Sequence, residues 1–348
     1  MVALAATALK DVVRDGVPTD TISPYDRCDG GMEQSSFHQP VLLRETLEQL
    51  VVGMGGVYLD ATVGEGGHTS STLQASAPEG IVLGIDRDPR SLARAIQRLS
   101  SFGNRFIPVC GNYAEMVDFA RAEGITNADG ILLDLGFSSR QVDAEGYGFS
   151  FQRDEPLDMR FNREEPIDSA ADVINSYAED ELANLIFQYG EEHRSRAVAR
   201  AIVRNRPIHT TGVLRDLIAR TLGSGPGRAR RIHPATRTFQ ALRIAVNREL
   251  ENLQAGLEAA VILLAPKGRL VVISYHSLED RLVKTFIYNQ SATCICPPEL
   301  PVCVCANVPN LRIVNRRVIK PDALEVENNS RSRSARMRVV ERLDTNIA

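Results

Sequence analysis

The sequence predicts an α/β protein: a sheet domain of mostly parallel strands, interrupted by an inserted all-helical domain. Three observations carry this. Short apolar runs alternate with helical periodicity over residues 57–133, the rhythm of a parallel sheet with helices on both faces. From Gln141 to about Gln240 the strand pattern disappears and only helical spacing remains. It then returns at 269–274 and closes with two alternating segments, 311–320 and 335–342, expected as antiparallel strands.

Taken in order, residues 41–50 have apolar positions at helical spacing with Arg44, Glu45 and Glu48 opposite. The first strand, Val57-Tyr58-Leu59, ends in Asp60 and breaks into a loop holding Gly64, Gly66 and Gly67, followed by His68, Thr69 and Ser70. Glycines at such a turn let the backbone approach a ligand, and the N–H groups of a helix start suit a carboxylate or phosphate. The glycine pattern by itself fits a plain structural turn equally well. A second strand at 80–85 is closed by Asp86, 26 positions beyond Asp60. That spacing suits an acidic residue accepting from both ribose hydroxyls of a nucleotide.

A helix at 91–99, a strand at 105–109, a helix at 114–122 and a strand at 130–133 continue the rhythm, the last ending in Asp134-Leu135-Gly136-Phe137. Ligands of such sheets bind at the carboxyl ends of the strands, so Gly66, Asp86, Tyr113 and Asp134 are expected to converge. Helices follow at 170–175, 179–188, 194–205 and 212–222, then a long helix at 239–264, a Pro266-Lys267-Gly268 turn and the strand 269–274. Segment 328–333 reads as a hairpin loop. The expected division is a disordered extension over 1–35, with Met32 as an alternative start, a discontinuous sheet domain over 36–140 and 241–345, and the helical insertion over 141–240.

Composition excludes some classes. With 43% hydrophobic and 24% charged residues, the chain is that of a soluble globular protein, and no apolar run reaches the roughly 18 residues a membrane span needs. Asp11, Asp15, Asp20, Asp26 and Asp29 outnumber the early basic residues, an acidity that signal and transit peptides avoid, so a cytoplasmic protein is expected. The net charge of -4 hides a local asymmetry: 13 arginines lie from 194 to 248, against Asp216 alone. Guanidinium forks grip phosphate and stack on bases, which points to nucleic acid ahead of a solvated helix face whose acids lie elsewhere. Cys28 and Cys110 stand alone. Cys294-Ile295-Cys296 and Cys303-Val304-Cys305 bracket a proline-rich turn and leave three readings open: a tetrahedral zinc site, reduced buried thiols, or a redox-sensitive loop.

Several long motifs agree in order with one family. HQPVLLRE at 38–45, LDATVGEGGHT at 59–69, DLGFSS at 134–139, FSFQRDEPLDMRF at 149–161, HPATRTFQALRIAVNREL at 233–250 and ISYHSLEDRLVKTF at 273–286 closely resemble the bacterial 16S ribosomal RNA cytosine-N4 methyltransferases, over about residues 36–342. The resemblance implies a class I, Rossmann-like methyltransferase with a helical insertion, S-adenosylmethionine as cofactor, and one cytosine in the decoding centre (P-site region) of 16S rRNA in the small ribosomal subunit as substrate. It further implies that Gly66, Gly67 and His68 contact the methionine part of the cofactor and that Asp86 holds the ribose. Tyr113 would pack by the adenine, where relatives often carry Phe, and Asp134 and Gln141 would complete the site. No metal takes part in the transfer and no membrane partner is expected; monomer and homodimer both stay open.

The exocyclic amine of cytosine is a poor nucleophile because its lone pair is shared with the ring. An acceptor on the amine N–H would localise that pair and stabilise the developing charge. Asp134, or a neighbouring carbonyl, is the candidate. It stands where other amino-methylating enzymes carry an Asp/Asn-Pro-Pro-aromatic motif, with Phe137 in the aromatic slot but without the prolines. The alternative is that Asp134 only binds cofactor. His38, His233 and His276 are further polar candidates, His276 the best placed. The 149–161 stretch, with Asp158 and Arg160, reads as a packed connector to the insertion or, from its position beside the cofactor strand, as a lid or substrate contact. The rival functions are a non-catalytic RNA-binding assembly factor, disfavoured by the intact polar ring, and a dehydrogenase, disfavoured by the lack of GxGxxG spacing.

Overall fold

The computed structural model describes residues 40–136, 146–223, 233–297, 300, 302–305 and 307–344. The strands are β1 (Val57–Asp60), β2 (Ile81–Asp86), β3 (Phe106–Cys110), β4 (Ala128–Asp134), β5 (Leu264–Ser274), β6 (Leu311–Ile313) and β7 (Arg336–Arg342). They form one seven-stranded sheet in the order β3-β2-β1-β4-β5-β7-β6. The first five pair in parallel, and β7 runs antiparallel to both β5 and β6. Because the chain winds outward from β1 to β3 and then returns to β4, the crevice of the sheet falls between the carboxyl ends of β1 and β4.

Period-two alternation divides the strand residues between two buried faces. Leu59, Leu83, Ile85, Ile131, Leu133, Leu270 and Val272 pack on α10 (Glu249–Leu263), through Leu253 and Leu257, and on α11 (Ser277–Ser291), through Val283 and Phe286. On the other face Tyr58 and Val82 meet Leu73 of α2 (Gly67–Ala75) and Ala95 of α3 (Pro89–Arg98). Leu132, Val271 and Ile273 meet Leu50 of α1 (Leu43–Leu50). Strands covered on both faces read as continuous apolar runs, which is why they were visible in the sequence. Each fully buried Leu or Ile here contributes about 1.5–3 kcal/mol.

Between β4 and β5 lie α5 (Ala170–Ser176), α6 (Glu179–Gly190), α7 (Ser195–Arg204), α8 (Thr211–Leu222) and α9 (Thr236–Asn247), after α4 (Met116–Ala122) on the sheet. They share their own apolar cluster, including Ile174, Leu182, Ile186, Ile202, Ile218 and Leu242.

Four expectations need correction. The helix expected at 239–264 is two helices, broken at Arg248, whose backbone is left-handed at φ 50°. Ala241, Leu242 and Val246 of α9 belong to the helical cluster, whereas Leu253 and Leu257 of α10 lie under the sheet, so one straight helix cannot serve both. The Pro266-Lys267-Gly268 turn is an irregularity within β5, at a register shift opposite Ala128 and Gly130. A Cβ on Gly268 would come within 2.9 Å of two carbonyl oxygens, so only glycine passes there. Finally, β6 spans three residues, with a separate bridge from Ile319 to Met337, and 328–333 falls at the end of α12 (Ala323–Asn328) and in a 3-10 turn, Ser330–Ser334, rather than in a hairpin loop. The extension over 1–35 lies outside the described residues.

Candidate active site

A cleft opens at the carboxyl ends of the strands. Its first wall is the turn after β1, where Ala61, Thr62 and Gly64 line the space. Gly64 and Gly66 both have positive φ, 55° and 78°, and a Cβ on Gly66 would meet Leu99 Cδ1 at 2.9 Å. The turn is braced from below. Buried Asp60 accepts from the Thr69 hydroxyl at 2.6 Å and from Thr62 N at 3.2 Å, and Thr62 Oγ1 accepts from Asp134 N at 2.7 Å, tying the β1 turn to the end of β4. Burial raises the Asp60 carboxyl above its usual range, with the Thr69 donor opposing.

Asp86, at the end of β2, is the second wall. Its two oxygens accept from Gly64 N at 2.6 Å and Asp88 N at 2.8 Å, which fixes the carboxylate plane. Burial nevertheless pushes it up to about 7. Tyr113, starting a 3-10 turn capped by Asn112, lies against α10. A Cβ on Gly256 would stand 2.5 Å from its ring, so the missing side chain at 256 is what admits the tyrosine.

Asp134 has a hydrogen-bond donor on one side and an imidazole beyond hydrogen-bond distance on the other. The Tyr275 hydroxyl donates to its Oδ1 at 2.8 Å, and His68 Nε2 stands 3.6 Å from its Oδ2. Burial first, and then the Asp134 charge, raise the Tyr275 hydroxyl well above its usual range, so it stays protonated as the donor. Gly136 permits the contact, because a Cβ there would meet the Tyr275 ring at 2.7 Å.

The far wall combines α10 and α11. Tyr275 N and His276 N both donate to Glu279 Oε2, at 2.8 and 3.2 Å, while His276 Nδ1 accepts from Glu279 N, a reciprocal cap on α11. Burial alone would raise Glu279, but the His276 hydrogen bond and the charges of His276 and Arg243 hold it below the usual carboxylate range. Glu249, His276 and Glu279 bring ligand-type atoms within 4.8 Å of one another. Arg243 grips both oxygens of Glu249, at 2.8 and 2.9 Å, while His276 Nε2 stands 3.1 Å from Glu279 Oε1 without hydrogen-bond geometry.

The roof is the segment after the 146–151 loop. Asn247, almost fully buried, donates to Met159 O at 2.7 Å and Arg243 O at 2.9 Å and accepts from Phe161 N at 3.0 Å. Arg87, next to Asp86, donates to Asn247 O at 2.9 Å and forks onto Glu165. These bonds set Phe161 over the cleft.

Of the residues singled out by sequence, Asp86, Tyr113 and Asp134 line the cleft together. Gly66, Gly67 and His68 are not among its lining residues, which include Gly64; Gly66 shapes the turn and His68 stands behind Asp134. Gln141, Phe137 and His38 lie outside the described residues. Asp158 and Arg160 do not line the cleft and pair with each other at 2.8 and 3.0 Å, bracing the connector. His233, in the turn ahead of α9, accepts from Ala235 N at 3.1 Å and stacks on Phe151, a structural role. Phe161 lines the cleft from the end of the 149–161 stretch, whereas Thr62, Asn247 and Tyr275 are site residues that were not singled out by sequence. Tyr275 had a usable signal, since it follows a strand end just as Asp134 does; Asn247 had none, being polar inside a helix pattern.

The arginine-rich stretch is only partly a free basic surface. Arg194 donates to Leu222 O and Thr221 O at the end of α8, and Arg206 to Ile174 O and Tyr177 O at the end of α5, satisfying orphan helix carbonyls. Arg200 pairs with Glu179, Arg215 with Asp216 and Arg243 with Glu249. Arg196, Arg204, Arg220 and Arg248 are exposed, whereas Arg228, Arg230 and Arg231 lie outside the described residues. Among the described residues no helix is long and apolar enough to cross a membrane.

The MraW methylase family model matches residues 35–343. The "Ribosomal RNA small subunit methyltransferase H" of Dehalococcoides mccartyi is 51% identical over 306 residues, covering 88% of this chain and 86% of that protein. The protein of the same name from Thermomicrobium roseum is 51% identical over 312 residues, covering 89% and 94%, and that from Geobacter sulfurreducens 50% over 309 residues, covering 88% and 99%. With one family model spanning both the sheet and the helical cluster, and relatives aligned along nearly their whole length, the chain belongs to the MraW methylase family.

Proposed function

We propose that this chain transfers a methyl group from S-adenosylmethionine to the exocyclic N4 of one cytosine in the decoding centre of 16S rRNA. The observation that carries the reading is the Asp134 carboxylate, fixed on the cleft wall by Tyr275 and facing the same space as Asp86 and Tyr113. The residues present suit the cofactor. Asp86 is oriented to accept ribose hydroxyls, and Tyr113 offers a ring for the adenine. The family resemblance also sets His68 by the methionine part, and both ring nitrogens of this buried side chain lack a hydrogen-bond partner among the described residues.

The bound cofactor supplies an electrophilic methyl group on a sulfonium, and the protein's task is alignment and exclusion of water. Asp134 Oδ2 accepts from the cytosine amine N–H, localising the lone pair and stabilising the positive charge that develops on nitrogen. The Tyr275 donor keeps the other oxygen engaged, so the carboxylate does not turn away. Phe161, bolted down through Asn247, closes the roof. Gly66, Gly67 and Gln141 keep the cofactor-binding roles that the family resemblance gives them. The target base must leave its stack, a cost offset by contacts to the RNA backbone. Segment 141–240 is the provider of those contacts, through Arg196, Arg204 and Arg220 on its surface.

The test is to incubate the protein with labelled S-adenosylmethionine and either small ribosomal subunits or naked 16S rRNA, then locate the methylated nucleotide by mass spectrometry. N4-methylcytosine at a single decoding-centre position supports the reading. Label on another atom, or no transfer to either substrate, overturns it.

A further inference from the structure

The four cysteines between α11 and β6 form the one motif that the transfer chemistry does not use. Residues 292–310 connect these elements, and among the described residues they contain neither helix nor strand. Loops of this length without structure of their own need another source of order. Two anchors close its base: Asn310 N donates to Gln290 O at 2.9 Å, and Asn307 Nδ2 to Ala292 O at 2.6 Å.

At the tip the Sγ atoms of Cys294, Cys296, Cys303 and Cys305 all lie within 4.8 Å of one another. Individual separations are 3.5 Å for Cys303 to Cys305, 3.9 Å for Cys294 to Cys305 and 4.0 Å for Cys296 to Cys303. These are far from the roughly 2.05 Å of a disulfide. They are close to the edge of a tetrahedron with zinc–sulfur bonds of about 2.3 Å, which is about 3.8 Å. Hydrophobic burial does not account for the gathering, because the apolar neighbours point the other way: Ile295 is 59% exposed, Val302 70% and Val304 75%. The chain has turned its sulfurs toward one another, with Cys294 and Cys303 exposed and Cys296 and Cys305 half-buried, and its aliphatic side chains to solvent. The reading of buried thiols is thereby corrected, since none of the four cysteines is fully buried.

Two backbone amides complete the arrangement. Ile295 N donates to Cys305 Sγ and Val304 N to Cys296 Sγ, each at 3.4 Å, so the residue between each cysteine pair caps a sulfur of the opposite pair. Such donors favour thiolate over thiol and are the outer-shell bonds that orient metal ligands.

We propose that Cys294, Cys296, Cys303 and Cys305 bind one zinc ion as a tetrahedral tetrathiolate that staples the 292–310 loop. Soft sulfur ligands in a closed tetrahedron select zinc over the hard cations, and four protein ligands leave no open position for catalysis. Uptake converts four thiols and one Zn²⁺ into a dianionic complex and releases four protons, with no redox change. The site is independent of the methyl-transfer reading.

The experiment is elemental analysis of the full chain purified under reductant without chelator. One zinc per chain is expected, falling about tenfold or more in Cys296→Ser/Cys303→Ser and unchanged in Cys110→Ser. Should the double variant fail to fold, the wild-type protein still decides. Stripped of metal and given Co²⁺, it is expected to bind one cobalt with sulfur-to-cobalt charge-transfer bands and tetrahedral d–d absorption. Zinc well below one per chain together with absent cobalt bands overturns the proposal. So does iron in place of zinc, or an intact mass showing these cysteines paired as disulfides in freshly purified, reduced protein.

Discussion

The Tyr275 hydroxyl donates to Asp134 Oδ1 at 2.8 Å, joining the ends of β5 and β4 across the wall of the cleft. Asp134→Asn keeps the shape but removes the charge that stabilises the reacting amine, so kcat is expected to fall at least about 100-fold. Tyr275→Phe leaves the charge and frees its orientation, with an expected loss of about 10- to 100-fold in kcat. Calorimetry of cofactor binding separates the roles: affinity nearly unchanged in both variants supports a part in transfer, whereas a parallel loss of affinity assigns Asp134 to cofactor binding alone.

Asp86 gives the site a pH dependence. Burial raises its carboxyl to about 7 in the cofactor-free protein, with the charges of Asp88 and Asp60 adding to the effect. Ribose hydroxyls donate to the ionised form, so bound cofactor lowers this value and affinity must fall as pH drops below about 7, by up to about tenfold per unit. Titration calorimetry between about pH 6 and 8 measures the slope. In Asp86→Ala the affinity should be weak and this slope absent; a wild-type affinity independent of pH would remove Asp86 from the ribose site.

Gly256→Ala tests whether the Tyr113 ring is placed by α10. The added methyl would lie 2.5 Å from the ring, forcing the tyrosine toward the cleft. A stability loss of about 1–3 kcal/mol is expected, together with weakened cofactor binding. Thermal melts and calorimetry check it, and Gly256→Ala/Tyr113→Ala should recover stability without recovering affinity.

Asn247→Ala removes three hydrogen bonds of one buried side chain at once, to Met159, Arg243 and Phe161. The expected cost is about 2–4 kcal/mol. Because those bonds hold the roof, limited proteolysis should cut near 159–165 sooner than in the parent protein. Unchanged cleavage would mean that the Arg87–Glu165 pair alone fixes the segment.

The arginines divide into two groups with opposite phenotypes. Arg196→Glu/Arg204→Glu alters exposed positions on α7 and is expected to weaken RNA binding, reduce its salt slope by about 0.7–0.9 per lost phosphate contact, and leave the melting temperature nearly unchanged. Arg206→Ala instead removes the donors to Ile174 O and Tyr177 O and should destabilise the fold by about 2–3 kcal/mol. Filter binding over a salt series, set beside thermal melts, distinguishes them.

By itself the sequence determined the parallel sheet, the helical interruption and the strand-end positions of Asp86, Tyr113 and Asp134. Strands buried on both faces must be apolar throughout, and the polar residue that ends each run is therefore conspicuous. The long motifs carried the family as well. The tertiary structure alone decided what those residues touch. Tyr275 and Asp134 are 141 positions apart, and Asn247 and Met159 are 88, so no local pattern connects them. It also decided that Arg248 breaks a helix the periodicity had continued, because α9 and α10 are drawn to different cores. The arginines show the same limit: sequence counts charge, but only packing reveals that Arg194 and Arg206 spend theirs on the backbone carbonyls of neighbouring helices.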